Sequence, residues 1–71
     1  MDPRLNWRSA ETIELANGYT ITDAQGHAVA AVSGAEIASE GGFLHIAVPG
    51  TSIVQMVSAP ALRRVTYKTG D

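Results

Sequence analysis

Large apolar residues run almost unbroken in one stretch only, Phe43 to Val57 (FLHIAVPGTSIVQMV), while the flanking chain alternates apolar and polar positions in short segments. Within that stretch β-branched residues are frequent, and Pro49-Gly50 interrupts the run. Proline inside a helix removes a hydrogen bond and clashes with the preceding turn, so the pattern predicts two short strands forming a hairpin. If Pro49 and Gly50 alone form the loop, Val48 faces Thr51, Ile46 faces Ile53 and Leu44 faces Gln55. Phe43, His45 and Ala47 then face Met56, Val54 and Ser52. Pro-Gly suits a type II turn, whose twist fits a tight hairpin poorly, so a wider loop is the alternative. Both faces of the pair are largely apolar, and an antiparallel sheet with one wet side leaves one of them bare. Either the sheet curls into a barrel or sandwich, or a partner covers the second face.

Upstream, Glu11 to Ser33 reads as a three-stranded meander. A loop of Ala16-Asn17-Gly18 pairs Leu15 with Tyr19 and Ile13 with Ile21, and a second loop, Ala24-Gln25-Gly26, sets Ile21 beside Val29 and Tyr19 beside Ala31. One face then carries Ile13, Leu15, Tyr19, Ile21, Val29 and Ala31. The other carries Thr12, Glu14, Thr20, Thr22, Ala28, Ala30 and Val32. Ser33 to Gly42 (SGAEIASEGG) supports two readings: a short helix with Ser33 and Glu36 as a capping box, or a strand from Ala35 to Ser39 turning through Glu40-Gly41-Gly42 into Phe43. Ile37 is its only large apolar residue, and a two-turn helix with one anchor is marginal, which favours the strand.

Ser58 to Leu62 reads as a single tight turn, with Pro60 where a missing amide does no harm. Arg63 to Lys68 alternates as a last strand, with Arg63, Val65 and Tyr67 on one side and Arg64, Thr66 and Lys68 on the other. Residues 1–10 (MDPRLNWRSA) show no sustained period and form an N-terminal arm that Leu5 or Trp7 anchors. Residues 11–68 make one small β domain, and 69–71 are a disordered end.

These signals predict an all-β domain: a small antiparallel barrel or a compact β-sandwich of roughly five to seven short strands, with a short helical turn before the last strand. The element order resembles that of SH3-like small barrels. The resemblance lies in order alone, since no stretch matches a signature motif of that group, and no functional residue is carried over.

A chain of 71 residues has room for one core and buries about 60% of its unfolded surface, for a stability of about a few kcal/mol. Of its 45% hydrophobic residues many are alanines, which add little area each, so the core leans on the larger side chains. Little space is left for an enclosed pocket, which argues against a small-molecule substrate. A net charge of −2 gives no overall attraction to nucleic acid or to anionic membranes. The absence of cysteine excludes disulfides, thiolate zinc sites and a cysteine nucleophile. No run reaches membrane-spanning length, and the first residues carry charges where a signal peptide is apolar, so a cytoplasmic location without membrane attachment is expected.

Candidate chemistry is sparse. His27 and His45 are the only side chains suited to act as a neutral base, and no nucleophile elbow surrounds the serines. Asp23, Glu36 and Glu40 have no close spacing to either histidine that would place metal ligands together. No phosphate-cradling glycine motif occurs. A non-enzymatic protein with no cofactor and no metal follows.

Phe43, His45 and Met56, with Trp7 from the arm, are the candidate partner-binding group, because aromatics and methionine are enriched at interface cores. The same residues also suit a second core layer of a closed barrel. The leading expectation is a protein-interaction domain of adaptor or inhibitor type, of the kind a phage or mobile element encodes, binding a protein partner or itself as a homo-oligomer. The alternative is a nucleic-acid-binding barrel using Arg63, Arg64, Tyr67 and Lys68, joined by Arg4, Trp7 and Arg8. Alternation counts against it by sending the two arginines to opposite faces, and charges on an edge strand also serve to block aggregation.

Overall fold

Period-two alternation, punctuated by glycine, builds nine short strands among the described residues. The structure, a computed structural model, describes residues 6–67. The strands are β1 (Arg8–Ser9), β2 (Thr12–Leu15), β3 (Ile21–Thr22), β4 (Ala28–Val29), β5 (Ala31–Ser33), β6 (Glu36–Glu40), β7 (Phe43–Ala47), β8 (Val54–Ser58) and β9 (Leu62–Thr66). They form three antiparallel sheets, in the orders β1-β6-β7-β8, β5-β2-β9 and β3-β4. The all-β expectation holds, and no barrel closes among the described residues.

One core lies where the inner faces meet. Ile13 and Leu15 of β2, Ile37 of β6, Leu44 and Ile46 of β7, and Val48 and Ile21 are buried there, with Val32, Val57, Leu62 and Val65 packed against them. Ile46 and Ile13 are the largest fully buried side chains, and each such residue contributes about 1.5–3 kcal/mol by leaving water.

The strand reading of the 33–42 segment is the one adopted. Gly41 and Gly42, at φ +57° and +85°, make a two-residue turn of the twist that suits a hairpin, and Glu40 faces Phe43 across it. This register sets Ile37 against Ile46, so the lone anchor of the segment reaches the centre of the core.

The register of the following hairpin needs correction. Pro49-Gly50 forms its turn, with the Thr51 N–H donating to the Val48 carbonyl at 3.2 Å, but the strands do not pair across it. β8 begins at Val54, and Ile46 faces Gln55 rather than Ile53, His45 faces Met56 and Phe43 faces Ser58. The Thr51 hydroxyl donates to Val48 O at 3.0 Å, which ties down the wider loop. A shift by an even number of residues keeps side-chain parity, so Leu44 and Ile46 still face the core, and Phe43 and His45 still share a face with Val54 and Met56.

The meander needs a larger correction. β3 pairs with β4 as expected, Ile21 against Val29, through a loop in which the Asp23 carboxylate accepts from the N–H groups of Gln25 and His27 at 2.9 and 2.8 Å. β2 does not pair with β3, however. It lies between β5 and β9, with Ile13 opposite both Val32 and Val65. The chain bends at Ala30 between β4 and β5 and changes sheets. That bend reverses the predicted parity of β5: Val32 packs on the core while Ala31 is exposed, so the larger apolar residue of the pair is the one buried, and Tyr19, predicted for the same face as Ala31, is exposed as well.

The helical turn before the last strand is present as a 3₁₀ turn over Ala59–Ala61, with Pro60 in its first positions. β9 carries a bulge: Leu15 faces Leu62 while Glu14 faces Arg64, which leaves Arg63 as the extra residue. Leu62 and Val65 therefore both reach the core, and both arginines are exposed, contrary to the opposite-face expectation. Near the start of the described chain, the Ala10 N–H donates to Ala35 O at 2.8 Å, and Ala10 is buried. Arg4, Leu5 and Lys68, and the predicted end at 69–71, lie outside the described residues.

Candidate functional site

The hairpin of β7 and β8 presents a largely apolar surface on its outer side. Alternation points Phe43, His45 and Ala47 of β7 and Val54, Met56 and Ser58 of β8 away from the core. Phe43 is 44% exposed, Val54 44% and Met56 57%, so this face is not a second core layer. Ile53, in the loop before β8, is also exposed.

Trp7 covers part of this face. Its ring meets that of His45 edge-on, with centroids 6.5 Å apart, beside the buried Ala38 that pairs with His45. The Glu40 carboxylate lies 3.4 Å from His45 Nε2, outside hydrogen-bonding geometry. Trp7 Nε1 and His45 Nε2 have no hydrogen-bond partner among the described residues. Trp7, His45, Met56 and Phe43 thus lie together on the outer side of one sheet.

Sequence reasoning did not identify the edge of that sheet. The Ala59 N–H donates to Gly42 O at 2.8 Å, which fixes the phase of the ladder: Gln55 and Val57 turn their backbone groups toward β7. Val54, Met56 and Ser58 turn theirs away from β7; the Ser58 carbonyl accepts within the 3₁₀ turn over Ala59–Ala61, and no strand among the described residues pairs with this edge. The five-residue strand carries no charge, proline or bulge. Hydrophobic alternation specifies faces and not which strand ends a sheet, so the only available signal was the missing charge in VQMVS.

The basic end is a separate surface. The Arg8 guanidinium stacks over the Tyr67 ring at 3.9 Å, and Arg63 Nη2 reaches Asn17 Oδ1 at 3.5 Å. Arg8 and Tyr67 flank a groove of about 300 Å³ between β1, β6 and β9, with Leu44 and Val65 in its lining. His27 is solvated beside its turn, 3.9 Å from Asp23. No group of three histidine, aspartate or glutamate side chains converges as a metal site among the described residues, and no helix there is long and apolar enough to cross a membrane.

Comparison with known proteins returns no match to a family model, a curated protein or a solved structure.

Proposed function

We propose that this chain is a non-enzymatic protein-interaction domain that docks through the outer face of the β6-β7-β8 sheet. The observation that carries this reading is the exposure of Phe43, Val54 and Met56 on one face, next to Trp7 and His45. A contiguous apolar surface of this kind is costly to leave in water and marks interaction sites. The hairpin is held by core residues on its other side, so binding orders little that is not already ordered. Two larger sheets sharing one core fit a compact β-sandwich better than a barrel, and an adaptor or inhibitor role suits a small domain whose exposed feature is a docking face.

The test is the double variant Phe43→Ser/Met56→Ser, compared with the parent in affinity capture from nuclease-treated lysate and in self-association, with circular dichroism as the control for folding. Loss of the captured protein or of self-association in the folded variant is the expected result. Unchanged binding and assembly with the fold intact overturns the docking face.

A second reading, nucleic-acid binding through the basic end, draws on one specific observation: the β9 bulge leaves Arg63 and Arg64 both exposed, with Arg8 and Tyr67 stacked nearby. Cations that neutralise phosphates release counterions, so this reading requires affinity to fall steeply with added salt. Absent or salt-insensitive binding to single-stranded oligonucleotides rules it out.

A further inference from the structure

Resting on the interaction reading, we propose that the occupant of the open β8 edge is the β8 of a second copy of this chain, paired antiparallel about a two-fold axis at Met56. A row of free backbone N–H and C=O groups is satisfied best by another strand, and proteins usually defend such edges with charge, bulges, proline or brevity. The other edges of the two larger sheets are defended in this way. β9 carries Arg63, Arg64 and a bulge, β1 has two residues and β5 has three. The outward groups of Thr22 on β3 are occupied by the Gln55 amide. β8 has five residues and no such device.

The identity of the partner follows from self-complementarity. A two-fold axis at Met56 sets the whole strand against its own copy, and VQMVS carries no charge that would repel that copy across the axis. Parity is also satisfied. Val54, Met56 and Ser58 point their backbone groups outward, so an axis at Met56 sets Met56 against the partner subunit's Met56, and Val54 against the partner subunit's Ser58. The Met56 pair exchanges both N–H and C=O, and in each outer pair the Ser58 N–H donates to the C=O of the partner subunit's Val54, while the Ser58 C=O is engaged by its own 3₁₀ turn. The two four-stranded sheets become one continuous sheet, and the outer apolar faces of the copies join side by side at Met56. Gln55 holds β8 to the body from the inner side, so the edge is ordered before any partner arrives.

The chain has no cysteine, so a single introduced thiol reports the register. Cα atoms in a hydrogen-bonded antiparallel pair are about 5.5 Å apart, within disulfide range. Met56→Cys is expected to form a disulfide-linked dimer under mild oxidation. Val54→Cys is not, because its two copies lie about 13 Å apart along the strands. Sedimentation of the unmodified chain is expected to show concentration-dependent doubling of mass. Met56→Pro, which removes an outward N–H and leaves the β7 ladder intact, is expected to abolish that doubling without changing the circular dichroism spectrum. Phe43→Ser, on the face and away from the edge, is expected to retain it.

A parent chain that stays monomeric at every concentration overturns the self-pairing. If that monomer still captures a protein through Phe43, the docking face stands and only the second copy is lost. Cross-linking as efficient at Val54 as at Met56, or a dimer broken by Phe43→Ser and not by Met56→Pro, also overturns the edge geometry.

Discussion

The side-chain amide of Gln55 occupies both backbone hydrogen-bonding groups of Thr22: its Nε2 donates to the Thr22 carbonyl at 2.7 Å, and its Oε1 accepts from the Thr22 N–H at 2.8 Å. Because the Asp23 N–H donates to His27 O, those Thr22 groups point away from β4, toward the position a neighbouring strand would take. One side chain therefore does for β3 what a backbone ladder would do, and β3 and β8 stay linked without joining into a barrel.

The effect of Gln55 substitutions follows from that geometry. Gln55→Ala is expected to cost about 1–2 kcal/mol in urea unfolding, for two hydrogen bonds at a partly exposed site. In Gln55→Glu, a carboxylate accepts from the N–H but faces the Thr22 carbonyl with no donor, whereas the protonated acid supplies one. Folding thus favours the protonated form and raises the introduced group's pKa in the folded state. The recovered stability is fully present below the unfolded pKa and is lost as pH rises through the folded pKa. Unfolding midpoints of the variant relative to the parent, followed from acid to neutral pH, check the direction.

Ile46 is fully enclosed, so truncating it opens a cavity that exposed neighbours cannot fill. Ile46→Ala is expected to cost about 2–5 kcal/mol and Ile46→Val about 0.5–1.5 kcal/mol. In a chain this small the first change leaves most molecules unfolded at room temperature, and the second only lowers the denaturation midpoint.

Gly50 and Gly26 have nearly equal φ angles, +84° and +83°, so alanine meets the same left-handed backbone cost of about 1 kcal/mol at each. Their surroundings differ. A Cβ at Gly26 has nothing within 4 Å, whereas one at Gly50 would meet the Ala24 Cβ at 3.3 Å, where the Val48–Thr51 turn touches the β3–β4 loop. Gly50→Ala is expected to lower the melting temperature more than Gly26→Ala. Equal losses would mean that the β3–β4 loop yields freely.

Arg8 stacks on Tyr67 at an exposed site, where such contacts contribute about 0.5–1 kcal/mol. Arg8→Ala is expected to lose that much in chemical denaturation. A matching loss in Tyr67→Leu, with no further loss when the two are combined, identifies the contact as the cause.

The parts of this fold that were legible in the sequence are those set by local chemistry or by parity. Gly41-Gly42 and Ala24-Gln25-Gly26 are turns because of their own backbone preferences, and Pro60 marks its helical turn in the same way. The grouping of Phe43 with Met56 survived a register error, because an even shift leaves every side chain on its face. What was not legible depends on distant partners. Nothing near Thr12–Leu15 indicates that it pairs with Leu62–Thr66, and the bend at Ala30 follows from where β2 lies. The bulge at Arg63 is likewise dictated by the need of Leu62 and Val65 for one core. The exposure of Phe43, Val54 and Met56 required knowing that no other sheet covers them, and the bare edge required knowing that β8 is terminal.

The place of β2 between β5 and β9 also orders events during synthesis. Ile13 and Leu15 leave the ribosome before their second neighbour, Leu62–Thr66, is made. Until then β2 has one edge unpaired, and its inward side chains lack Leu62 and Val65 against them. The domain is therefore expected to assemble only after translation has passed β9, and a nascent chain stalled before that point is a substrate for chaperones or proteases.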